Sequence, residues 1–196
     1  TVFEYTGTEW ILDPGDINDL DDDNDGFIDN LIGWNAHSNE GDIGVNLSLS
    51  HGTNVAGCVS SMTNNETGIA SVGWSIKIMG ITNCDPGGSI TSGYEGILTA
   101  AQMGADIINN SWGSSGGPDY AQALINTVLN EYTSLIVASS GNAGTNIANY
   151  PAAFEGVVSV TSTSEGSVFS CWATRHETVD IAAPGDNVFT TTTSPN

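Results

Sequence analysis

His51 heads the stretch HGTNVAGCV and is one of only 3 histidines in the 196-residue chain. Imidazole is the side chain best suited to take up and return a proton near neutral pH. If the small-residue run behind it is a helix, His51 occupies the first turn, where the helix dipole favours the neutral ring. Gly52, Ala56 and Gly57 would let such a helix approach other backbone closely. A second stretch, SSGNAG, puts Asn142 on a Gly-bearing turn, from which a carboxamide N–H can donate to a developing oxyanion. A third, NSWG, runs through Ser111, Trp112 and Gly113, an extended edge on which a peptide can add as a strand. Singly, each is an ordinary feature: a structural histidine, a plain turn, a strand exit.

A fourth stretch suits a hard cation. Asp21, Asp23 and Asp25 alternate, and Gly26, Phe27, Ile28 and Asp29 follow. This matches the first nine positions of an EF-hand-type calcium loop, with Asp21, Asp23 and Asp25 as ligands, then the Phe27 carbonyl, then Asp29 directly or through water. The twelfth position is Ile32 rather than Glu, so a bidentate ligand must come from elsewhere or be absent. So dense a run of carboxylates repels itself without a cation. The expected cofactor is therefore Ca2+, and the alternative is a bare acidic turn.

The elements that must position these groups follow from periodicity. Residues 51–62 read as a helix of small residues. Residues 74–81 (WSIKIMGI) read as a strand. Residues 89–103 carry Ile90, Tyr94, Ile97, Leu98 and Ala101 at helical spacing, and 119–132 carry Leu124, Ile125, Val128, Leu129 and Tyr132 likewise. Short strands are expected at 106–109, 135–138, 157–160 and 179–182. Strands alternating with helices imply a mostly parallel sheet covered on both faces, with ligands beyond the carboxyl ends of the strands. NSWG and SSGNAG both follow such strands.

Together and in this order, HGTNVAG, NNSWGSSGG, SSGNAG, the Tyr150-Pro151 pair and AAPG at 182–185 resemble the subtilisin-like serine peptidases. The resemblance runs from about Trp10 to the end of the chain. The acidic WILDPGDINDLDDDNDGFIDNLIGWN segment is similar to an insertion found in many secreted members of that family. The resemblance implies an α/β three-layer sandwich and an Asp/His/Ser triad. It makes His51 the general base and Asn142 the side-chain donor of the oxyanion hole. Ser111, Trp112 and Gly113 become one wall of the substrate cleft. Ala138, Ser139, Ser140 and Gly141 become the lining of the pocket for the residue before the scissile bond. Neither segment carries a charge, which suggests a neutral or apolar preference.

The family's apolar strand ending in Asp is not found ahead of Trp10, and Asp13, Asp16 and Asp19 read as loop. The family's Gly-Thr-Ser is not found after AAPG, and Ser194, before a proline in coil, does not read as a nucleophile. The expectation is a partial, incomplete peptidase domain: an acidic segment at 1–50, an α/β portion at 51–196, and a triad of which only the histidine is present. Such a chain should be inactive alone and should depend on remaining parts of the same domain. MTNNETGIAS resembles a second calcium loop, with Asn65 as a ligand.

Composition narrows the alternatives. Two basic residues against 23 acids give a net charge of -21, which argues against nucleic-acid or membrane binding through a basic patch. No apolar run is long enough for a membrane span. Cys58, Cys84 and Cys171 have no CxxC spacing, so zinc is not expected. One disulfide, with Cys84 and Cys171 the favoured pair and Cys58 a buried thiol, is the expectation. A secreted endopeptidase acting on proteins or peptides is the main reading, and the acidity suits a cold or saline habitat. The rivals are a catalytically dead peptide-binding module of the same family and a calcium-binding extracellular structural domain.

Overall fold

The computed structural model describes residues 3–5, 7–8, 10–12, 18–21, 24–43 and 50–193. The chain divides into two compact units: residues 1–46 with 78–99, and residues 47–77 with 100–196.

In the first unit, β1 (Phe3–Tyr5) and β2 (Trp10–Leu12) form an antiparallel pair. β3 (Gly33–Asn35) pairs parallel with β4 (Gly80–Thr82), Trp34 facing Ile81. Gly33 meets Gly80 so closely that a Cβ on Gly33 would lie 1.8 Å from the Gly80 carbonyl oxygen, so only glycine fits. Trp34 is buried, and Phe27 packs edge-on against it at 5.0 Å. The acidic turn is thereby tied to β3 by an aromatic pair.

In the second unit, α1 (His51–Ser60) is followed by a loop that folds back on it, Val72 N–H donating to Cys58 O and Gly73 N–H to Val59 O. β5 (Ile107–Asn110), β6 (Leu135–Ser139), β7 (Val158–Ser164) and β9 (Ile181–Pro184) pair parallel, while the short β8 (Val168–Phe169) is antiparallel to β7. Alternate residues Ile108, Asn110, Ile136, Ala138, Ser159 and Thr161 are buried, the period-two pattern of a sheet face turned to the core. α3 (Ala121–Thr127) runs on as a π-helical turn over Val128–Tyr132, burying Ala121, Ile125 and Val128 along one stripe. α2 (Gly93–Gln102), which belongs to the first unit up to Thr99, buries Tyr94, Ile97 and Ala101 in the same way. Parallel strands alternating with helices make the fold α/β, with a mixed but mostly parallel sheet.

Several boundaries differ from the sequence expectation. The strand anticipated over 74–81 forms only at Gly80–Thr82. Trp74, Ile76 and Ile78 alternate as a strand would, but Trp74 is 75% exposed and no described strand lies alongside to bond that stretch. Hydrophobic alternation marks a segment that can pair; the ladder needs a neighbour. The last strand lies at Ile181–Pro184 rather than 179–182, in the register β7 offers it. α1 ends at Ser60, short of Met62, which is exposed. The Cys84–Cys171 disulfide is not formed: all three cysteines are free thiols, Cys171 exposed and Cys58 half-buried.

Candidate active site

His51 is the first residue of α1 and is exposed. The helix has no side-chain cap at Ser50 and no acidic residue in its first turn. The imidazole is nonetheless fixed, because Nε2 lies 2.9 Å from the backbone oxygen of Ser111. A carbonyl can only accept, so Nε2 carries the hydrogen and, in the neutral ring, the lone pair is on Nδ1. No described residue bonds Nδ1.

Ser111 directly follows β5, whose last residue, Asn110, pairs with Ala138 of β6. Ser111 and Ser139 are thus the residues that follow one paired position of the two strands. The buried Asn110 carboxamide donates to Val137 O at 3.3 Å, locking the two strand ends together. Asn142 comes three residues beyond Ser139, on a turn in which Gly141 takes φ 99 and Gly144 φ 63, both in the left-handed region. The segment 172–175 straps this turn: Gly144 N–H donates to Trp172 O, Thr174 N–H to Gly141 O, and Arg175 N–H to Thr145 O. Asn142 is exposed, and its carboxamide has no bond among the described residues, so its N–H groups are available.

His51, Ser111, Trp112, Gly113, Ser139, Gly141 and Asn142 thus belong to one region at the carboxyl end of the parallel strands. Ala138 and Ser140, only 1% and 3% exposed, are packed behind that region rather than on its surface. The acidic loop belongs to the first unit. There Asp21 accepts from Asp25 N–H and Gly26 N–H, Asp25 from Phe27 N–H, and Asp29 from Asn18 N–H and Asp19 N–H. Asp23, Asp13, Asp16 and Ser194 lie outside the described residues. Asn65 accepts from Thr67 N–H at 3.2 Å within its own loop.

Two features were not anticipated. The Thr190–Thr193 run packs on α1. Thr191 Oγ1 donates to Thr53 O at 2.7 Å, and Thr190 Oγ1 donates to Asn54 O. The Asn54 carboxamide, turned with its N–H groups toward them, donates to Ser50 O at 2.9 Å and Thr191 O at 2.7 Å. The first turn of the His51 helix is thereby held from the far end of the chain. The second feature is Asn149, whose Nδ2 donates to Ser139 O at 2.9 Å. Its position just before the Tyr-Pro pair was the one available sequence signal.

Known proteins match most of the chain. The family model described as "Subtilase family" matches residues 16–196. Thermitase of Thermoactinomyces vulgaris is 37% identical over 143 residues, covering 72% of this chain and 51% of that protein. The halolysin-like extracellular serine protease of Natrialba magadii is 32% identical over 192 residues, covering 91% of this chain and 34% of that protein. Among solved structures, a protease of Pseudoalteromonas arctica superposes with a TM-score of 0.64 at 30% identity, covering 74% of this chain and 47% of the other. The chain thus spans between a third and a half of the length of these relatives. With its family model matched over residues 16–196 and a relative 37% identical over 72% of its length, the chain belongs to the subtilase family.

Proposed function

We propose that the protein is a secreted serine endopeptidase and that this chain supplies its general base and its side-chain oxyanion donor. The observation carrying this reading is the 2.9 Å contact of His51 Nε2 with Ser111 O, which holds an imidazole at the carboxyl end of β5, beside the strand that leads to Asn142. In the reaction, His51 takes the proton of a serine hydroxyl attacking the scissile carbonyl and returns it to the leaving amine. Asn142 donates to the tetrahedral oxyanion, and the backbone of 111–113 pairs with the substrate peptide. For Nε2 to serve as the base, the ring hydrogen must move to Nδ1, the role a carboxylate partner performs in such triads.

The serine and the aspartate are assigned to no residue of this chain; in the family's pattern they come from remaining parts of the catalytic domain. The 196-residue chain alone should therefore turn over little or no substrate. The test compares the full-length protein with this chain on an unfolded protein substrate. Proteolysis by the former that a serine-directed inhibitor stops, and none by the latter, is the expected result. Inhibitor-sensitive turnover by the isolated chain would overturn the assignment of the triad. The alternative is a peptide-binding module of the same family without chemistry. That alternative predicts that the full-length protein binds peptides and cleaves none.

We further infer that the loop at 21–29 takes a calcium ion. Asp21, Asp25 and Asp29 offer hard oxygen donors, and Asn24, Gly26 and Asp29 have left-handed backbone that winds the loop tightly. Among the described residues no three acidic groups converge. Each carboxylate oxygen that accepts an N–H keeps a further lone pair for an ion. Secretion is proposed from the same family reading, and no helix among the described residues is long and apolar enough to cross a membrane.

A further inference from the structure

His51 stands on a helix end that lacks the usual fastening. Ser50, the residue before it, makes no side-chain hydrogen bond to the helix, and the first turn has no acidic residue. A helix end of this kind frays unless something else holds it. His51 is the first residue of α1, so its ring is placed only as well as the turn beneath it.

That turn is held by a segment 136 to 138 residues further along the chain. Thr191 Oγ1 donates to Thr53 O at 2.7 Å, and Thr190 Oγ1 donates to Asn54 O. The Asn54 carboxamide reaches both ways, donating to Ser50 O at 2.9 Å and to Thr191 O at 2.7 Å. A carbonyl oxygen has two lone pairs, so these bonds add to the helix's own bonds rather than replace them. Gly57 lets the segment in, since a Cβ there would lie 2.2 Å from Thr191 Oγ1. The bonds fall on residues 50, 53 and 54, before and after His51. The imidazole has one fixing bond of its own, from Nε2 to Ser111 O. Ring and supporting backbone are thus anchored to two different segments.

We infer that Thr190, Thr191 and Asn54 are positioning residues for the general base, holding the backbone under His51 so that its imidazole meets the attacking hydroxyl. The inference rests on the reading of His51 as the base. The three residues act through His51 and not on the substrate. A misplacement of about 1 Å at a reacting group costs roughly 10²-fold in rate, so a loosened turn is felt in turnover. Thr191 is exposed, and substitutions at exposed positions ordinarily move stability little. A role confined to folding therefore predicts a small effect on every measurement.

The test uses the full-length protein and a peptide anilide substrate. The ring-proton resonances of His51, identified by their loss in His51→Ala, are followed in parallel. Thr190→Val with Thr191→Val removes both hydroxyls and keeps their shape; Thr190→Ser with Thr191→Ser keeps the hydroxyls. The valine pair should lower kcat by at least about tenfold with KM within about twofold of the parent, and the serine pair should stay within about threefold in both. The His51 resonances should shift in the valine pair and hold in the serine pair. Asn54→Ala, which helix propensity favours, should lower kcat in the same direction. It replaces the valine pair if that pair fails to fold by circular dichroism. A valine pair with kcat within about twofold of the parent, or a loss that the serine pair shares, overturns the proposal. If the parent cleaves no substrate, the peptidase reading falls and the resonances decide the rest. A shift in the valine pair alone upholds the hold on His51, and unmoved resonances overturn it.

Discussion

His51 Nε2 and the carbonyl oxygen of Ser111, 60 residues apart in the chain, lie 2.9 Å from each other. The contact joins the first residue of a helix to the first residue beyond a strand. The orientation of the imidazole is therefore set by the backbone of the segment that would hold the substrate. In the proposed function, base and peptide-binding edge are positioned by this one hydrogen bond.

His51→Ala and Asn142→Ala should differ in size of effect but not in kind. In the full-length protein the first should lower kcat by roughly 10⁴–10⁶-fold, because triad groups act as a unit. The second should lower kcat by roughly 10²–10³-fold, the cost of one oxyanion donor. KM should change little in either, and the melting temperature should hold, since both side chains are exposed. Steady-state kinetics beside thermal melts check this, and a rise in KM with kcat intact at Asn142 would assign it to ground-state binding instead.

Gly57→Ala should destabilise the protein although it lies in a helix. Alanine is favoured over glycine in a helix interior by about 1 kcal/mol. Here the new Cβ would lie 2.2 Å from Thr191 Oγ1, 2.7 Å from Thr190 Oγ1 and 2.9 Å from the Thr191 backbone nitrogen. Overpacking typically costs about 1–3 kcal/mol, so the clash should outweigh the propensity gain. Urea unfolding of the variant should show a lowered midpoint. A raised midpoint would mean that the Thr190–Thr191 segment does not sit on α1.

Ser159→Ala should stabilise. Ser159 is fully buried in β7 and its hydroxyl has no hydrogen-bond partner among the described residues. A buried unpaired polar group costs about 1–3 kcal/mol, while alanine keeps the Cβ packing. Its backbone bonds, to Asp180 Oδ2 and from Asp180 N–H, do not depend on the hydroxyl. The expected readout is a higher melting temperature, and a drop would reveal a partner for Oγ.

Calcium should raise the melting temperature and a chelator should lower it. At about 100 times its dissociation constant an ion bound only to the folded state contributes about 2.7 kcal/mol. For a chain of this size that corresponds to roughly 5–10 °C. Asp21→Asn should remove most of the response while keeping one of the two oxygens that accept from the Asp25 and Gly26 N–H groups. A melting temperature indifferent to chelation would return the loop to an acidic turn held by its own backbone.

The family, the α/β class and the motifs that contain His51, Ser111–Gly113 and Asn142 were legible in the sequence. They sit in short contiguous motifs whose local chemistry (small residues behind a histidine, glycines around an asparagine) is written residue by residue. Helix stripes such as Ala121, Ile125 and Val128 were legible for a related reason, since a period needs only one element. Tertiary structure decided what depends on a distant neighbour. It formed no strand over 74–78 despite a strand-like pattern, left the three cysteines as free thiols, and turned a run of threonines into a brace for α1 through a bond spanning 138 residues. It also wedged Asn149 between Gly113 and Gly141. Hydrogen bonds and close packing are formed by whatever the fold brings within about 3–4 Å, and separation along the chain does not encode that proximity.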